Sequence, residues 1–141
     1  MILTIRCRNL RTIWHEIVAG YACFSVEHQW GSTEPACPAA FVDLENQLFL
    51  SAASYWEICI KMGIGKLILA DNWHQQFEAE MAANGIRWLP IEQTHCRQIL
   101  ELPAVHQDPF ERLLVAQAIC EEMTIVTGDR YIPKYPVPIL W

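Results

Sequence analysis

The sequence predicts an α/β protein: a single three-layer α/β/α sandwich over residues 1–141, built around a mostly parallel sheet. Three observations predict it. Short apolar segments of strand length alternate with segments of helical spacing over most of the chain. Apolar residues make up 52% of the 141 residues and charged residues 18%, which gives enough apolar matter for one core and excludes disorder. No internal repeat or low-complexity tract interrupts the alternation.

The elements follow in order. Residues 1–24 hold a short strand and then a helix around residues 10–22. Residues 25–42, SVEHQWGSTEPACPAAFV, are rich in Gly, Pro and small residues and read as a loop. From residue 43 the pattern becomes regular. Gln47–Ala52 is a short apolar strand, and a helix runs from Ser54 to about Met62 until Gly63 and Gly65 break it. Trp73, Phe77 and Met81 recur at helical spacing through Trp73–Asn84, and Gly85 supplies the stop. Ile86–Ile91 is a strand, and Thr94–Leu100 a helix ending before Pro103. Asp108–Glu122 is the clearest helix. Met123–Thr127 is a strand, Asp129–Tyr135 a turn or short helix, and Val137–Trp141 a last strand. Such alternation places Gln47–Ala52 and Met123–Thr127 parallel in one sheet.

No apolar run approaches the length needed to cross a bilayer, and MILTIRCRNLRTIW lacks the long apolar stretch of a signal peptide. The cysteines, at positions 7, 23, 37, 59, 96 and 120, match no zinc spacing and form no CxxC pair. Cys59 and Cys120 fall inside apolar helical patterns, which predicts buried thiols and a reduced, cytoplasmic protein. The net charge of −6 argues against broad non-specific nucleic-acid binding. That charge lies wholly in residues 43–141, because residues 1–42 carry three arginines against three glutamates and no aspartate.

The residues that can do chemistry are carboxylates at strand ends and helix starts. Glu57 lies shortly beyond the strand Gln47–Ala52, Asp129 just beyond Met123–Thr127, and Asp108 at the start of the clearest helix. Each has a purely structural alternative. Ser54 and Glu57 fit a capping box, Asp108-Pro109-Phe110-Glu111 fits an N-cap with proline at N1 and glutamate at N3, and Asp129 fits a turn. Parallel strands would turn Glu57 and Asp129 to one crevice, where open α/β sheets build their sites. Oxygen ligands converging there suit a hard cation such as Mg²⁺, able to activate water against a phosphodiester.

Four cations stand near these acids as possible phosphate or RNA contacts. Lys61 lies four residues after Glu57, as a surface ion pair or a phosphate contact. Arg112 lies four residues after Asp108, to orient it or touch phosphate. Arg130 and Lys134 follow Asp129. Gln117 reads as a polar core residue, Thr127 as a hydrogen-bond donor to the neighbouring carboxylate, and His106 as a loop or packing histidine. GIGK, Gly63–Lys66, lacks the spacing of a phosphate-binding loop.

SAASYWEICIKMGIGKL, HQDPFERLLVAQA and TIVTGDRYIPKYPVPILW, in that order, resemble segments of the PIN-domain ribonuclease toxins of bacterial type II toxin–antitoxin pairs, the VapC-like group. The resemblance runs from about Gln47 to Trp141. It implies that Glu57, Asp108 and Asp129 are acidic metal ligands and catalytic residues, with Mg²⁺ or Mn²⁺ as cofactor. It also implies an RNA substrate, a cognate antitoxin as partner and a homodimer; no membrane association is expected, because no apolar run is long enough. The opening departs from the family pattern. The family's first strand ends in aspartate, whereas here no acid precedes Glu16, and neither Glu16 nor Asp43 is suitably placed. Residues 1–42 thus read as divergent or as the product of a shifted reading frame, and residues 43–141 as the family-like part. Two functions follow: a Mg²⁺-dependent endoribonuclease toxin, or a non-catalytic degenerate toxin that binds an antitoxin.

Overall fold

In β2, Gln47–Ser51, alternate residues serve opposite faces of a sheet. Leu48 and Leu50 enter one core cluster, and Phe49 packs against the other. The computed structural model describes residues 3–6, 46–127 and 129–140, the first four through their backbone. The helix expected around residues 10–22, the loop over residues 25–42, the first three cysteines and the closing tryptophan lie outside the described residues.

The remaining elements are β1, Leu3–Arg6; α1, Ala52–Gly63; α2, Trp73–Ala83; β3, Arg87–Leu89; α3, Gln93–Gln98; α4, Pro109–Cys120; β4, Thr124–Val126; and β5, Ile139–Leu140. Short 3-10 turns follow α3 at Ile99–Glu101 and precede β5 at Ile132–Lys134. The strands form a sheet in the order β3-β2-β1-β4-β5. β2 pairs parallel with β3, and β4 with β5.

β1 runs antiparallel to both β2 and β4, so those two run the same way, as expected, with β1 between them. Its register sets Leu3 opposite Leu50 and Val126, and Arg6 opposite Gln47. The strand therefore ends at the sheet edge away from the carboxyl ends of β2 and β4. Side-chain patterning cannot encode this reversal, because an alternating strand reads identically in both directions.

Helices cover both faces. On one, Phe77 and Met81 of α2 pack with Leu48, Leu50 and Val126. On the other, Val115, Ala116 and Ala118 of α4 pack with Leu89, Ile125 and Ile132. Gln117, the polar residue in this buried stretch, is fully buried and hydrogen-bonded. It accepts a bond from Ser51 Oγ at 2.5 Å and donates from Nε2 to the Pro90 carbonyl at 3.0 Å. One amide thus joins the ends of β2 and β3 to α4, and an apolar residue in its place would leave the buried Ser51 hydroxyl without an acceptor.

Three helices stop in the same way. At the ends of α1, α2 and α4 the backbone enters the left-handed region at Gly65 (φ 70°), Gly85 (φ 63°) and Glu122 (φ 53°). The next N–H returns to the helix: Lys66 to the Lys61 carbonyl at 2.8 Å, Ile86 to Met81 at 2.9 Å, and Met123 to Ala118 at 2.8 Å. These are Schellman closures, which satisfy carbonyls that the helix end would leave orphaned.

Several expectations need correction. Ser51, not Ser54, caps α1: its backbone is extended and its Oγ accepts from Ala53 N at 3.0 Å. Ala52 and Ala53 are strong helix formers and carry the helix back to the strand end. Ser54 is then a buried first-turn residue, and its capping box with Glu57 does not form. Cys59 and Cys120 are exposed, as is Cys96, because the thiols lie on the outer sides of their helices. Tyr55 and Trp73, both partly buried, cluster with the buried Phe77: Tyr55 lies 5.2 Å from both Trp73 and Phe77, ring to ring. Trp56 remains 54% exposed.

Candidate functional site

The site lies beyond the carboxyl ends of β2 and β4, where α1 and α4 begin. α4 supplies two carboxylates because HQDPFER places an extended Asp108 at its N-cap, with Pro109 inside the first turn. Asp108 Oδ1 accepts from Phe110 N at 2.8 Å. Glu111, one turn into the helix, does not return to Asp108 N, so no capping box forms here either. His106 Nδ1 takes that N–H instead, at 3.0 Å, and also lies 2.9 Å from Glu111 Oε2. His106 is thus more than a packing residue: it fixes the chain before the helix and faces a carboxylate.

Asp129 follows β4. Its Oδ1 accepts from Tyr131 N at 2.6 Å and Ile132 N at 3.2 Å, closing the turn ahead of the 3-10 segment. Thr127 Oγ1 accepts from Asp129 N at 3.0 Å and so steadies the backbone, rather than donating to the carboxylate as the sequence suggests. Glu57 lies in the second turn of α1, half-buried, and pairs with Lys61 Nζ at 2.8 Å.

Glu111 registers all three of these acids. Its carboxyl is pushed above the ordinary glutamate value, first by burial and then by the negative charge of Asp129. His106 pulls it down, and Asp108 and Glu57 push it up further. Glu111 Oε2 is also a buried oxygen with no hydrogen-bond partner. An orphaned carboxylate oxygen repelled by three other carboxylates is the environment a hard cation would relieve, and the donors are oxygens throughout. Among the described residues, no three His, Cys, Asp or Glu side chains are already arranged to hold a metal ion. One oxygen each of Asp108 and Asp129 is engaged with backbone N–H groups, which supports the fold without an ion.

The other cations differ in their surroundings. Arg112 directs its guanidinium to backbone carbonyls, donating to Pro103 and Ile99 at 2.9 Å each and to Leu102 at 3.4 Å. It clamps the chain after α3 to α4. Arg130 and Lys134 instead lie over the Tyr131 ring, 4.9 Å and 4.8 Å from its centroid. Sequence reasoning passed over Glu111 and Tyr131. The spacing His106-x-Asp108-x-x-Glu111 carried a signal for Glu111, which a capping role absorbed.

Fold and site together define a class: an α/β domain that sets carboxylates beyond the carboxyl ends of its sheet strands, at helix starts. Residues 31–138 match the PIN domain family, and the chain belongs to it. Membership points to ribonuclease activity in general terms. No protein of curated function and no solved structure matches the chain.

Proposed function

We propose that this protein is a metal-dependent endoribonuclease of the VapC-like toxin class. The observation that carries the proposal is the buried Oε2 of Glu111, which makes no hydrogen bond although His106 Nδ1 lies 2.9 Å away, set among the charges of Asp129, Asp108 and Glu57. Glu111 and Asp129 would hold a Mg²⁺ or Mn²⁺ ion, with Glu57 and Asp108 close enough to contribute charge. When bound, such an ion lowers the pKa of a water and offsets charge on a phosphodiester. The chain's own residues have separate tasks. Asp129 keeps one oxygen on the turn and has a second to offer. His106 holds the entry to α4. Arg130 and Lys134 supply positive charge for an RNA backbone, whereas Lys61 is paired with Glu57 and Arg112 is committed to carbonyls.

The partners in this reading are RNA, a cognate antitoxin and a second copy of the chain, in the cytoplasm. No helix among the described residues is long and apolar enough to cross a membrane. Trp56, Ile60 and Ile64 leave an exposed apolar stripe along α1 for a protein partner.

A second reading is favoured by one observation. β1 runs against β2 and β4, so its carboxyl end brings nothing to the acidic site. A site lacking a ligand from that strand suits a degenerate toxin that retains only antitoxin binding, with residues 1–42 altered by divergence or a shifted frame. Incubation with structured RNA and Mn²⁺ or Mg²⁺, beside Glu57→Gln and Glu111→Gln, separates the two. Cleavage lost in both variants supports the nuclease. Absent cleavage, with the product of the adjacent gene still bound, supports the second reading.

A further inference from the structure

We propose that Tyr131, flanked by Arg130 and Lys134, is a platform for one unpaired nucleobase and the phosphates on either side of it. The proposal rests on the ribonuclease reading and names the residues beside the acidic site that would hold the strand.

Tyr131 is tied to the acidic site through its backbone, since its N–H donates to Asp129 Oδ1 at 2.6 Å. The His106 ring stands 5.0 Å from its ring at a tilt of 49°. Arg130 Nη2 donates to the Tyr131 hydroxyl at 2.9 Å. The cations around the site then divide into two kinds. Lys61 is neutralised by Glu57, and Arg112 is saturated by carbonyls. Arg130 and Lys134 are exposed, and among the described residues neither has a carboxylate partner. What they share is the Tyr131 ring.

A cation resting on a partly exposed ring is weakly held, so a better ligand displaces it readily. A nucleobase is such a ligand for the ring, because every base has a π-face, and the phosphates on either side of that base are such ligands for the displaced cations. A tyrosine fixed at its backbone, with two exposed cations beside it, therefore offers one base and its neighbouring phosphates what they need together. A duplex keeps its bases paired and stacked, with no face to present to a lone ring, so the platform selects unpaired RNA.

The test is binding of a fluorescein-labelled single-stranded RNA octamer to the full chain in EDTA, followed by anisotropy, beside a duplex of the same sequence. Removing divalent ions separates binding from cleavage. Tyr131→Ala is expected to weaken single-strand binding roughly tenfold, Tyr131→Trp to retain it, and the duplex to bind less tightly than the single strand. Arg130→Ala and Lys134→Ala should each flatten the salt dependence, whereas Arg87→Ala, which removes a charge at the opposite edge of the sheet, should not. Should Tyr131→Ala fail to fold, Tyr131→Leu keeps apolar volume without a π-face and carries the same expectation. Binding unchanged in a folded Tyr131→Ala or Tyr131→Leu, or equal affinity for the duplex, would overturn the platform. So would wild-type protein that cleaves RNA with Mn²⁺ but shows no single-strand preference, an outcome that leaves the nuclease standing. Binding that depends on Tyr131 in a chain that never cleaves RNA supports the platform and removes the nuclease.

Discussion

His106 Nδ1 faces Glu111 Oε2 at 2.9 Å while accepting the N–H of Asp108 at 3.0 Å. One ring nitrogen has one lone pair or one proton. If it accepts from Asp108, it cannot donate to Glu111, and that carboxylate oxygen stays unsatisfied unless it carries a proton or meets a cation.

That relation predicts a pH effect. Burial and the neighbouring acids raise the Glu111 pKa, so the folded chain holds this proton more tightly than the unfolded chain does. The resulting stability is fully present below the ordinary glutamate value and is lost as pH rises through the raised one. Glu111→Gln keeps the shape and removes the titration. In metal-free buffer the variant should lose part of the pH slope seen in wild type, and at neutral pH should melt about 2–5 °C higher. Thermal melts across the acidic to neutral range check this, and identical slopes in both proteins would count against it. Added Mn²⁺ should raise the wild-type midpoint and leave that of Glu111→Gln nearly unmoved.

Glu122 occupies, at φ 53°, the position that glycine fills after α1 and α2. A side chain there crowds its own carbonyl, and the Schellman closure of α4 holds it in place. Glu122→Gly should therefore stabilise the fold by about 1 kcal/mol, less the entropy a glycine adds to the unfolded chain. Urea unfolding would register the gain as a higher midpoint at unchanged slope. A loss of stability would mean that Glu122 makes a compensating contact.

Much of the fold was legible because periodicity reports burial. Phe77 and Met81 lie on the buried side of α2, and the apolar stretch of α4 is the best-buried helix segment described. The acids were legible by position, as residues following strands or opening a helix. Three things were not. Strand direction leaves no mark on alternation, so β1 was unreadable in that respect. Glu111 and Ser54 satisfied a capping pattern that competing donors and acceptors, His106 and Ser51, took over in three dimensions. The thiols of Cys59 and Cys120 sit in apolar sequence on the outer sides of helices, a distinction that short windows blur.

Arg112 separates a structural cation from an RNA contact. Its planar fork reaches three carbonyls at once, a geometry lysine cannot reproduce. Arg112→Lys should cost about 1–3 kcal/mol in urea unfolding, because the released carbonyls lose charge-assisted partners. Its single-strand RNA affinity, measured under conditions where it is fully folded, should match wild type. A weakened, salt-dependent affinity in a folded variant would return Arg112 to the RNA-binding surface.

Asp108 and Asp129 each do two things, and substitution by asparagine or alanine parts them. Asp108 caps α4 through one oxygen, and Asp129 closes its turn through one oxygen. Asparagine keeps an acceptor oxygen in the same place and is as good an N-cap as aspartate, so Asp108→Asn and Asp129→Asn should fold with nearly wild-type stability. Alanine removes the acceptor, and Asp108→Ala should cost about 1 kcal/mol. Asp129→Ala should cost more, because two N–H groups lose their partner. Metal binding responds to charge instead. If Asp129 is a ligand, Asp129→Asn should weaken Mn²⁺ binding by calorimetry as severely as Asp129→Ala does, although only the alanine variant is unstable. Asp108 lends charge at longer range, and its asparagine variant should show a smaller loss. Mn²⁺ affinity that follows stability across the four variants, rather than charge, would reduce both residues to scaffolding and leave Glu111 without its cation.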